Sequence, residues 1–496
     1  MRQRILLAGW SPPAVRPILF LTGIMLVALS GAMLLPAAVD ALAGSPNWRS
    51  FLIAGSITFA LGAGLSRWAR CRLVGGLSLR QAFLLTPFAW TTLVLFGAIP
   101  LYISDYAQLK DSFTNAFFES MSGLTTTGAT VIVGLDAAPP GILLWRALLQ
   151  WLGGIGVIGV AVAVLPALGV GGMQLFRTES SDRSEKVMPR VREIATAIVF
   201  VYVGLTLLCG VAYWVVAMTP FDALLHALTT VSTAGFSSSD RSLGNWDSAA
   251  VHWIAILFML SGAIPFVLYV RVLQRQPDAL RDTQVRTLFG LITIVIIVVA
   301  TWLVVNGLHS VPDALRLAAF NVTSVVTTTG FATADYMLWG NAAVGLFFGL
   351  MFVGGCTGST AGGMKIFRFE VMARLLRSQF LRLLYPRGVF ARMYAGRLLP
   401  DDVVGSVVTF FSLYFICYSA LTIALMAFGL DFLTSASGAV SSLSNIGPGL
   451  GPIIGPAGNF ATLPDGAKWV LCFGMLLGRL ELLSVLILFL PQFWRG

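Results

Sequence analysis

The chain has 496 residues, 57% of them hydrophobic and only 11% charged. Many of its apolar segments reach the roughly 20 residues needed to cross a bilayer core, which excludes a soluble domain and indicates a polytopic membrane protein. The net charge of +10 does not point to nucleic acid, because the cations gather in a few connections between apolar segments.

The first apolar run, Ile18 to Leu35, follows Arg2, Arg4 and Arg16, and "ALAG" at 41–44 has the look of a signal-peptidase site. The run is longer than the roughly 7–15 residues of a signal core, so it reads as a retained helix. Further on, basic connections hold Arg67, Arg70, Arg72 and Arg80; Arg177, Arg183, Lys186, Arg190 and Arg192; and Arg271, Arg275, Arg281 and Arg286. A fourth carries Lys365, Arg368, Arg374, Arg377, Arg382, Arg387, Arg392 and Arg397. The connections between these carry Asp105, Asp111, Asp136, Asp222, Asp240, Asp247, Asp313, Asp335, Asp431 and Asp465. By the positive-inside rule the basic set is cytoplasmic, the acidic set external, and both termini lie inside. The alternation implies about ten crossings, centred at roughly 27, 58, 92, 155, 204, 261, 295, 347, 415 and 478.

Four external segments are too short and polar to span, yet too apolar for open loops. They are "DSFTNAFFESMSGLTTTGATV", "FDALLHALTTVSTAGFSSSD", "PDALRLAAFNVTSVVTTTGFAT" and "DFLTSASGAVSSLSNIGPGLG". Each opens on or beside an aspartate, runs about three turns with helical apolar spacing, and ends in small polar residues and a glycine. Gly128, Gly235, Gly330 and Gly447 recur at intervals of roughly a hundred residues, a fourfold repeat of helix, re-entrant loop and helix. The expected all-α architecture is an accessory hairpin at 1–70, then repeats at 71–176, 177–276, 277–396 and 397–496 around a central pore.

Non-helical backbone at membrane depth leaves amides and carbonyls unpaired unless it lines a cavity or binds something. Four loops about an axis can present rings of carbonyl oxygens that replace an ion's water shell. The carbonyl end of each short helix adds partial negative charge favourable to a cation. One "TTG" alone reads as a helix-packing patch; four copies on one side do not.

Three other features stand out. "GGCTGSTAGG" at 354–363 interrupts an apolar helix starting near Tyr336 and reads as a packing notch or a moving part; Met364 stands where a phosphate-binding loop needs lysine. Arg479 is a cation inside the last crossing, either tethering helices or facing a cavity, and Glu481 is too near along one helix to be its partner. Cys71, Cys209, Cys356, Cys417 and Cys472 show no disulfide or zinc spacing, and His226, His252 and His309 form no metal motif.

The combination "TTTGAT", "TTTGF", "SNIGPGLG" and "GGCTGSTAGGMKIFR" resembles the Trk/Ktr/HKT superfamily of potassium transporters, within it the bacterial TrkH/TrkG type, over about 75–490. The resemblance implies backbone coordination of K+ at Thr126, Thr127, Thr233, Ala234, Thr328, Thr329, Asn445 and Ile446, ahead of the four filter glycines. Glycine at the first loop implies potassium preference over sodium; Ala129, Phe236, Phe331 and Pro448, in place of the tyrosine of tetrameric channels, imply looser discrimination. The resemblance also implies a gate of Gly358, Ser359, Thr360 and Gly362 below the filter, with Arg479 raising a barrier in the pore and Glu119 bracing the first loop. It further implies a bacterial inner-membrane homodimer, one pore per chain, controlled by a TrkA-type nucleotide-binding cytoplasmic subunit. This chain itself shows no nucleotide site, and its basic loops suit that partner, anionic lipid or plain topology. A secondary transporter would need inverted halves and midplane acids, and an enzyme a cluster of His, Asp or Glu at one face; neither pattern is present.

Overall fold

The computed structural model describes residues 15–71, 77–163, 187–276 and 281–495. Arg2, Arg4, Arg72, Arg177, Arg183 and Lys186, to which the topology reading assigned cytoplasmic charge, lie outside them. Among the described residues the regular structure is helical apart from one short hairpin, Met393–Tyr394 against Arg397–Leu398, and a single parallel bridge between Val353 and Met364.

Among the described residues, seven helices are long and apolar enough to cross a bilayer: Arg16–Leu42, Trp48–Trp68, Leu79–Tyr102, Pro140–Gly159, Glu193–Val216, Thr283–Val305 and Asp401–Ala427. Three of the ten expected crossings are broken instead. Ala249–Ala263 turns by 92° into Phe266–Leu273 at Pro265, which lacks the N–H to continue the ladder, and Asp465–Arg479 turns by 108° into Leu483–Phe489. The third is a ten-residue helix, Asn341–Leu350, that ends before the glycine-rich stretch. It does not begin near Tyr336: Tyr336–Trp339 is a separate 3-10 turn, and Gly340 breaks the path with φ 97°.

Between the long helices stand four short ones, Phe113–Leu124, Pro220–Val231, Val311–Val326 and Phe432–Ser444. Their starts are polar caps: Ser112 accepts from the Asn115 amide, Thr219 from that of Asp222, and Asp431 from that of Thr434. Such caps satisfy helix N–H groups that have no partner within the helix. At the third, Ser310 turns its hydroxyl to Asp313 instead, and with Arg316 holds that carboxyl below the usual carboxylate range. In all four, nearly every residue of the last two turns is buried.

The N-terminal helices pack on each other and are tied to the rest by Asp40, whose buried carboxylate accepts the Gly141 amide at 2.7 Å. Loops beyond the short helices are stitched around the molecule. Asp240 accepts the amides of Gly134 and Leu135, Gly244 donates to the Ala332 carbonyl, and Phe460 donates to that of Thr130. These bonds leave Asp240 and the loops it joins committed to structure.

Candidate functional site

The four short helices end alike. Thr126, Thr233, Thr328 and Asn445 take left-handed backbone angles, with φ of 52°, 48°, 56° and 54°. Each donates its N–H three residues back, and the next residue donates five back: Thr127 to Ser122, Ala234 to Thr229 and Thr329 to Ser324 at 2.9 Å, Ile446 to Ser441 at 3.0 Å. This is the Schellman helix end, whose left-handed position ordinarily holds glycine or asparagine. Threonine there is an outlier for a β-branched residue. Such conformations cost about 1–3 kcal/mol each and persist only where the surroundings over-determine them.

Two residues later comes the glycine, left-handed again, with φ of 86°, 81°, 81° and 108° at Gly128, Gly235, Gly330 and Gly447. The glycines hold the loops together. Gly128 abuts the Ala234 carbonyl, Gly235 that of Thr329, Gly330 that of Ile446, and Gly447 that of Thr127. A Cβ at any of the four would come inside 3.0 Å of the oxygen. In each case that oxygen belongs to the residue preceding the next loop's glycine, so the contacts run from the first loop through the fourth and back to the first. The loops close a ring, and all twelve residues predicted for the filter lie in it.

Side chains expected from sequence and side chains missed by it brace this ring together. Glu119, fully buried, accepts from Thr130 Oγ1 at 2.9 Å, from the Val131 amide at 3.0 Å and from Arg146 Nε at 2.7 Å. Arg146 then donates to the Ser237 carbonyl in the second loop and stacks on Phe236, 4.1 Å from its centroid. Gln150, one turn further along the same helix, spans Ala234 and Phe236: its Nε2 donates to the Ala234 carbonyl at 2.6 Å and its Oε1 accepts the Phe236 amide at 3.0 Å. One lone pair of the Ala234 oxygen is thereby engaged. Asn445 joins the fourth loop to the first by donating to Thr127 Oγ1 at 3.0 Å. In the third and fourth loops Ser324 and Ser441 donate to the carbonyls of Phe331 and Gly447.

The glycine-rich stretch at 354–363 is a non-helical loop lying against the ring. Thr360 donates to the Val231 and Gly262 carbonyls and accepts from the Thr233 hydroxyl, and the Gly362 amide donates to Thr328 Oγ1 at 2.6 Å. Gly362 also packs on the Ser444 carbonyl so closely that no side chain fits. Gly358 and Ser359 anchor the loop elsewhere, Gly358 accepting from the Phe266 amide and Ser359 donating to the Cys356 carbonyl. Arg479 reaches the loop from the last broken crossing, donating to the Thr360 carbonyl at 2.9 Å. Glu481 is not its partner; that carboxylate pairs with Arg368 across the helix break.

A family model described as TrkH, cation transport protein, matches residues 48–495. The chain is 47% identical to the Trk system potassium uptake protein TrkI of Halomonas elongata, over 97% of each protein. It is 37% identical to the Trk system potassium uptake protein TrkH of Escherichia coli K12, over 97% of this chain and 99% of that one. The crystal structure of the potassium transporter TrkH from Vibrio parahaemolyticus superposes with a TM-score of 0.89 at 37% identity, covering 97% of this chain and 99% of that one. This mainly helical, membrane-embedded chain therefore belongs to the TrkH family of cation transport proteins, which are transporters and not enzymes.

Proposed function

We propose that this chain takes up potassium across a bacterial plasma membrane through the ring of four loops, acting as its selectivity filter. The observation that supports the reading is the closed sequence of glycine-to-carbonyl contacts, which joins the four loops in one ring. Left-handed residues at every second position turn successive peptide groups toward one side instead of alternating them as a strand does, so each loop can offer consecutive carbonyls to one ion. Oxygens of Thr126, Thr127, Thr233, Thr328, Thr329, Asn445 and Ile446 are the ligands, with Ala234 contributing its remaining lone pair. The relatives' names as potassium uptake proteins support the choice of ion.

The loop at 354–363 is the gate. It is held to the second and third ring loops by hydrogen bonds through Thr360 and Gly362 and packs on the fourth at the Ser444 carbonyl, and Arg479 sets a positive charge beside it, a barrier to cations in a low-dielectric passage. In this reading the chain comprises an accessory hairpin at 1–70 and pore repeats at 71–176, 177–276, 277–396 and 397–496, works as a homodimer with one pore per chain, and keeps both termini in the cytoplasm. A TrkA-type nucleotide-binding subunit docks on its basic face, where helix Ile366–Leu384 presents Arg374, Arg377 and Arg382.

The test is isotope uptake in a bacterial strain lacking its own potassium systems, comparing wild type with Gly128→Ser. Wild type restores potassium uptake, and the serine shifts preference toward sodium. Unchanged preference at unchanged abundance contradicts the filter assignment.

A further inference from the structure

Against the inner face of the gate loop lies a cavity lined by Lys365, Arg368, Arg479 and Glu481 and walled by Phe410 and Tyr414. The three cations retain only 8%, 2% and 5% of their exposure. Their one carboxylate, Glu481, is taken by Arg368. Lys365 donates to the Ala361 carbonyl and Arg479 to that of Thr360, both neutral groups of the gate loop. Among the described residues, Arg368 Nη1 and Arg479 Nε and Nη2 are buried without a hydrogen-bond acceptor, although the Arg368 guanidinium lies over the Phe410 ring, 3.6 Å from its centroid.

Buried N–H groups without acceptors are costly, and excess charge in a low-dielectric cavity is costlier still. Among the described residues, the Tyr414 hydroxyl is engaged with Ser444 Oγ and that of Ser359 with the Cys356 carbonyl, no carboxylate besides Glu481 lines the space, and the Thr357 hydroxyl, which also lines it, is itself without a hydrogen-bond partner. We infer that the cavity is an anion site, holding one small inorganic anion of the chloride type between the free N–H groups of Arg368 and Arg479, with Lys365 supplying further positive potential. The anion offsets part of the excess charge and fixes the orientation in which Arg479 grips Thr360, so its residence favours the closed gate. This site stands on the cavity's charges and donors, whatever ion the ring conducts.

Bromide is the probe. Crystals of the full-length protein equilibrated in sodium bromide and measured at the bromine edge are expected to show an anomalous peak within hydrogen-bonding distance of Arg368 and Arg479. The peak is lost in Arg479→Gln and weakened in Lys365→Gln; should the first variant fail to fold, the second carries the comparison. In detergent, bromide in place of gluconate is expected to raise the wild-type melting temperature and to raise it less in either folded variant. A wild-type cavity without a bromine peak, or a peak and a melting shift unchanged by the substitutions, overturns the site. Potassium uptake measured alongside separates that outcome from failure of the transport reading.

Discussion

Gly330 lies so close to the Ile446 carbonyl that this contact is the tightest of the four that close the ring. It joins the third loop to the fourth through bare backbone, and the same relation links every neighbouring pair. Crowding eases from Gly330 through Gly235 and Gly128 to Gly447, where a Cβ would stand 2.8 Å from the Thr127 oxygen.

Alanine at these glycines therefore acts in graded fashion. Each substitution also forces a left-handed backbone on a residue with a Cβ, at about 1–2 kcal/mol. Gly330→Ala is expected to abolish potassium uptake and lower the amount of folded protein. Gly447→Ala should reach the membrane in better yield and show the mildest loss. Uptake rates and yields from the four variants, measured side by side, check the order.

The Glu119–Arg146 pair predicts a stability effect separate from selectivity. Both side chains are buried, and removing one partner of such a pair costs about 3–5 kcal/mol. Glu119→Gln and Arg146→Met are each expected to lower the melting temperature sharply, and the double variant to lose less than their sum. Arg146→Lys should not rescue, because the arginine serves Glu119, Ser237 and Thr130 from three separate nitrogens.

Gln150 sets the position of the second loop through two bonds. Gln150→Leu frees the Ala234 oxygen and strands the Phe236 amide, at about 1–3 kcal/mol for the unpaired group. Sodium and rubidium uptake relative to potassium is expected to change more than protein abundance does. Equal loss for all three ions would mean that Gln150 only holds the fold together.

In the loop at 354–363, proposed as the gate, Thr360→Ala removes the hydroxyl that ties it to Val231, Gly262 and Thr233. Arg479→Gln removes the charge beside it. Both are expected to raise passive potassium flux in liposomes free of any cytoplasmic subunit, and the pair together should raise it further. A fall in flux from either would place the barrier elsewhere.

Sequence alone marks the ring because glycine and the small polar residues before it break helical apolar spacing at four matched places. It does not show where each short helix ends. Schellman ends favour glycine or asparagine, so Asn445 fits that preference, while the reversals at Thr126, Thr233 and Thr328 are not legible in residue type. Arg146 carries a readable sign as a charge inside an apolar crossing, as Arg479 does, yet its connection to Ser237 depends on tertiary register. Gln150 offers less, since a lone glutamine in "LLQWLGG" gives no hint of a loop 84 residues away. The bend at Pro265 has a residue that explains it. The break at Glu481 and Leu482 has none: both take positive φ, of 63° and 43°, where nothing in their side chains favours it. What holds Glu481 there is Arg368, more than a hundred residues earlier in the chain.

The most direct measurement is crystallographic: protein loaded with thallium(I), a potassium-like ion with strong anomalous scattering. Peaks on the axis between Gly128, Gly235, Gly330 and Gly447, each surrounded by main-chain oxygens of all four loops, are the predicted result. Thallium found only outside the ring, or bound by side chains away from that axis, would contradict the account.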